Sequence, residues 1–72
     1  MENTNYRELL LRDYPEELET GGFVEWARNR FQYLDKHPEK WEKEARWVRE
    51  GWKKDPEGTV LKYSYEFLRS FA

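Results

Sequence analysis

The 72-residue chain has no cysteine, no isoleucine, one histidine, one methionine, three prolines and four glycines. Without cysteine there is no disulfide scaffold, no Cys-ligated zinc and no thiol nucleophile, and a cytoplasmic setting is the expected one. His37 stands alone between Lys36 and Pro38, so the usual His or Cys metal site cannot be assembled, and no metal is expected. The longest aliphatic run, Leu9-Leu10-Leu11, is far short of the roughly 20 apolar residues that span a bilayer. No membrane segment is expected, and Met1 to Asn5 lacks the basic and apolar regions of a secretory leader. Gly21-Gly22 lacks the further glycines and the lysine of a phosphate-binding loop. Ser64 and Ser70 stand in no nucleophile-elbow context, so a serine hydrolase is not indicated. With no cofactor motif and too little chain to enclose a cleft beside a core, the sequence is read as that of a non-enzyme.

Charge also excludes something. Thirteen basic and fifteen acidic groups leave a net −2. Residues 1–36 carry five basic and eight acidic side chains and residues 37–72 carry eight and seven, so neither half is the basic surface of a phosphate-backbone binder. The balance argues against a nucleic-acid partner.

What the chain has in abundance is aromatic side chains: four Trp, five Tyr and four Phe. A chain this short supports one domain, here residues 1–72, and its core yields little stability unless burial is concentrated. Rings that each bury roughly 150 to 250 Å² supply that concentration.

Helix punctuation recurs as Pro15-Glu16, Pro38-Glu39 and Pro56-Glu57, each suited to a first helical turn. Asn5 with Glu8 resembles a capping box, and Asp55 is a good N-cap. A first helix is therefore predicted from about Tyr6 to Asp13, followed by a short turn over 16–20 that ends at Gly21-Gly22. A second should run from Phe23 to about Lys36, with Phe23, Ala27, Phe31 and Leu34 at helical spacing. In the third, Trp41, Ala45, Val48 and Trp52 form one stripe, while Glu39–Lys43, Glu42–Arg46 and Glu50–Lys54 are i, i+4 pairs on the other face. Residues 59–65 fit both periods, but an isolated strand would lack a partner and Asp55-Pro56-Glu57 is a helix start. The expected fold is all-α: a small four-helix domain of helical hairpins with an aromatic-rich core.

If Phe23, Ala27, Phe31, Trp41, Ala45, Val48, Trp52, Phe67 and Phe71 fill the interior, then Trp26, Tyr33, Trp47 and Tyr63 are left over. Tyr, Trp and Arg dominate binding hot spots, which makes Trp26, Arg30, Tyr33, Arg46, Trp47 and Arg49 the candidate partner-binding residues. The flanking Glu25, Glu42 and Glu50 suit a protein partner, or a second copy of the chain. The expected function is a non-enzymatic protein-binding module, an inhibitor or adaptor of the kind phages and mobile elements encode. Helix starts of this type and acid-to-base ladders are also habits of computational design, so a purely structural or designed helical domain is an alternative.

Arg46-Trp47-Val48-Arg49-Glu50-Gly51, then Thr59 to Tyr63 and Glu66-Phe67-Leu68, resembles the recognition helix, wing strand and closing helix of excisionase-type winged-helix proteins, with Val24-Glu25-Trp26 as part of a first helix. The resemblance spans about 50 residues. It implies an α+β winged-helix-like fold and DNA binding through the third helix, with Lys40, Lys43, Arg46 and Lys53 on phosphates.

Overall fold

A computed structural model describes residues 5–71; residues 1–4, most of the N-terminal stretch read above for a leader, lie outside it. Four α-helices follow one another: α1 (Tyr6–Asp13), α2 (Phe23–Lys36), α3 (Arg46–Lys54) and α4 (Pro56–Arg69). Two 3-10 segments, Pro15–Leu18 and Pro38–Lys43, join the first three, and no strand occurs among the described residues. The domain is all-α.

Local chemistry sets most of these ends. The Asn5 side chain accepts from the Glu8 backbone N–H at 3.2 Å, which opens α1. The Asp55 side chain does the same for Gly58 at 3.2 Å, and Pro56 follows it at a position where a missing N–H costs nothing. Before α2 the chain turns at Gly21, whose φ of +85° is comfortable only without a Cβ. The Gly21 N–H donates to the Glu25 carboxylate, and the Phe23 N–H donates to Glu17 Oε1 at 2.7 Å. The amide just before the N-cap and the first amide of α2 thus meet carboxylates, where the helix dipole also favours negative charge.

α4 is the hub. Each of the other three helices packs against it. The core comprises Leu10 of α1, Val24, Ala27, Phe31 and Leu34 of α2, Val48 of α3, and Val60, Leu61 and Tyr65 of α4. α3 and α4 approach closely at Gly51, where a Cβ would collide with the buried Thr59 side chain. Ser64 is buried between the helices and donates to the Val60 carbonyl at 2.8 Å, so its hydroxyl costs little there. Around this mainly aliphatic centre stand half-buried rings: Tyr6, Tyr14, Phe23, Trp41, Trp52 and Tyr63.

Three expectations are corrected. The third helix is not continuous from Pro38: the chain is extended at Glu44 and Ala45, with ψ of 151° and 150°, and α3 begins only at Arg46. Two contacts hold the break, Arg30 Nη2 to Glu44 Oε2 at 2.9 Å and Trp41 against Phe31 with ring centroids 6.1 Å apart. Ala45 is consequently exposed, Glu42 and Arg46 no longer lie on one helix, and Glu39 and Lys43 share a 3-10 segment, in which residues four apart are not on one face. Phe67 and Phe71, expected inside, are 39% and 73% exposed. The wing strand that the winged-helix resemblance implied over 59–63 lies within α4, so the α+β alternative does not describe this fold.

Candidate functional site

Tyr63, Phe67 and Phe71 succeed one another at i, i+4 spacing along α4 and just beyond its end. Tyr63 packs edge-on to the buried Phe31 at 5.0 Å and lies parallel to Phe67 at 6.0 Å; Phe71 then meets Phe67 edge-on at 5.1 Å. From α2, Phe23 stacks on Phe67 at 5.1 Å and touches Trp26 at 5.1 Å. The result is a continuous ladder of rings from the core to the surface.

Its outer end is exposed for a simple reason. Phe31 faces Tyr63 and Phe23 faces Phe67, so α2 and α4 run antiparallel. α2 starts at Phe23, and the turn of chain bearing Phe71 extends past it. Trp26, 49% exposed, completes the patch from the α2 side.

The rest of α2 continues this surface with a different character. Trp26, Arg30 and Tyr33 follow at i, i+4 and i+7, and Arg30 and Tyr33 line a shallow crevice of about 270 Å³ with Leu34, Lys40 and Lys43. Tyr33 also lies against His37, with centroids 4.4 Å apart. Behind the Arg30–Glu44 pair, burial raises the Tyr63 phenol above its usual pKa and the Glu44 carboxylate adds to the effect. One end of the surface is thus aromatic and the other basic.

The six residues singled out from sequence do not form one patch. Trp26 joins Phe23, Phe67 and Phe71; Arg30 and Tyr33 share the basic crevice. Trp47 belongs elsewhere: the Lys62 ammonium sits 4.5 Å over its ring, beside a crevice that also touches Tyr6 and Gly51. Arg46 pairs with Glu50 at 2.9 Å on its own helix, and Arg49 lines a separate cleft with Trp41 and Trp52. Phe67 and Phe71 were missed as surface residues. Their i, i+4 spacing from Tyr63 was visible in the sequence, but the position of α2's first turn relative to α4 was not.

Among the described residues no group of three or more His, Asp or Glu side chains is placed to hold a metal ion, and no helix is long and apolar enough to cross a membrane. No protein-family model matches the chain, and comparison with curated proteins and with solved structures gives no significant match either.

Proposed function

We propose that the protein is a non-enzymatic, cytoplasmic binding module, an adaptor or inhibitor that engages another protein through the surface running from Phe71 to Tyr33. The ladder of rings Tyr63–Phe67–Phe71, with Phe23 and Trp26 beside it, supports this reading most directly. Exposed rings that neighbouring rings hold in place lose little freedom on binding, which is what makes aromatic anchors effective. The partner surface that fits is an amphipathic one: apolar side chains against Trp26, Phe67 and Phe71, and acidic groups one or two helical turns away against Lys40 and Lys43, beside the Arg30–Glu44 pair.

The test uses a set of amphipathic helical peptides with a fixed apolar face and a graded number of glutamates at one end. Affinity should rise with the glutamates, fall as salt is added, and drop about tenfold or more in a Trp26→Ser/Phe71→Ser double variant. Trp47→Ala should leave it unchanged. Failure of every peptide to bind, or binding indifferent to the double variant, would sink the proposal.

A further inference from the structure

The interruption before α3 creates a second cleft. Because the 3-10 segment Pro38–Lys43 and α3 are separate pieces, Trp41 and Trp52 both lean on Phe31, at 6.1 and 5.4 Å, from different elements. The hollow they border has a volume of about 390 Å³ and is also lined by Asp35, Pro38, Arg49 and Lys53. This lies within the size range of small-molecule pockets, roughly 300 to 1,000 Å³.

The lining is built rather than incidental. Trp52 Nε1 donates to Asp35 Oδ2 at 2.8 Å, which fixes the orientation of the indole. Arg49 and Lys53 stand one turn apart on α3, and neither engages in an ion pair among the described residues. Two cations and one carboxylate, which already accepts a hydrogen bond from Trp52, thus share the lining of an indole-bordered hollow. A cationic ligand would be repelled by Arg49 and Lys53, and a neutral one would leave them unused.

We infer that this cleft binds a carboxylate carried on an apolar body, with the apolar part between Trp41 and Trp52 and the carboxylate on Arg49 and Lys53. Two sources present that chemistry: a free aromatic acid and the C-terminus of a peptide ending in a hydrophobic residue. The cleft shares no lining residue with the ladder of rings, although both rest on Phe31.

The experiment follows the indole N–H resonances of the four tryptophans during titration with 2-naphthoate, with an acetylated peptide ending in free phenylalanine, and with the same peptide amidated. The two acids should shift the Trp41 and Trp52 signals saturably in the sub-millimolar range and leave Trp26 and Trp47 in place. Equal affinity for both acids assigns the site to free acids; tighter binding of the peptide assigns it to a chain terminus. Arg49→Gln/Lys53→Gln should weaken binding about tenfold or more without changing the far-ultraviolet circular dichroism. Asp35→Asn, which keeps an acceptor for Trp52 and removes the negative charge, should tighten it. Amidated peptide binding as well as the acid, shifts confined to Trp26 or Trp47, or no saturable shift at all would each overturn the inference.

Discussion

The two halves of α4 solve different problems. In the stretch up to Ser64, Thr59, Val60, Leu61 and Ser64 are all buried, none of them carries a ring, and α3 approaches closely enough that only glycine fits at position 51. Beyond Tyr65 the large rings Phe67 and Phe71 reach solvent with increasing exposure. Small residues with complementary surfaces hold the helices together, and big rings are set at the margin. In a domain this short, stability therefore resides in close approach at one end, leaving the rings at the other end free for contact.

Breaking the first half should have the largest effect. Val60→Asp would bury a carboxylate without a partner at a fully enclosed position, at a cost of about 3 to 5 kcal/mol. That approaches the whole stability of a domain of this size, so the helical signal at 222 nm should be mostly lost at 25 °C. The same change at the other end, Phe67→Asp, should leave the chain folded.

Gly51→Ala comes next. Overpacking against Thr59 costs about 1 to 3 kcal/mol, partly offset by a gain of about 1 kcal/mol in helix propensity. A net loss of about 1 kcal/mol is expected in urea unfolding, and pairing it with Thr59→Ala should recover part of that loss if the clash is the cause. Asp55→Ala removes the cap of α4 and should cost about 1 kcal/mol, whereas Asp55→Asn should cost less. Phe71→Ser should change stability by less than about 0.5 kcal/mol while weakening peptide binding, which sharpens the contrast between the halves.

The smallest effect concerns the boundary between them, where Tyr65 donates to Asp13 Oδ2 at 3.2 Å. The Arg12 guanidinium, hydrogen-bonded to Asp13, is the main influence holding this carboxyl below its ordinary pKa of 3.8; Tyr65 adds to it, and together they outweigh desolvation. Because the folded value is the lower one, the stabilisation is complete above pH 3.8 and is lost as pH falls through the folded pKa. Following the Asp13 carboxyl by NMR should show its midpoint moving up in Tyr65→Phe and further up in Arg12→Gln.

Residues that act locally were legible in the sequence. Asn5, Gly21 and the Asp55-Pro56 pair act by interactions within a few positions, and the starts of α1, α2 and α4 followed from them. The break at Glu44 was not, because the stripe Trp41, Ala45, Val48, Trp52 is a sound helical pattern in itself. What interrupts it is a carboxylate reaching Arg30, fourteen residues back, and a ring seated on Phe31. Tertiary contact outweighed periodicity there. Phe67 and Phe71 were misplaced for a related reason. Hydrophobic spacing shows which residues share a face of a helix, but not how far the opposing helix extends.

That α4 receives every other helix also governs the order of events during synthesis. It is the last of the four helices to leave the ribosome, and Tyr65 must find Asp13 across 52 residues of chain. Until then α1 and α3 lack their main packing partner, Leu10 and Val48 remain open to water and to other chains, and Phe31 is covered only by Trp41 and Trp52. The nascent chain is thus most prone to aggregation just before α4 emerges, and the core is closed by that one helix in a single step.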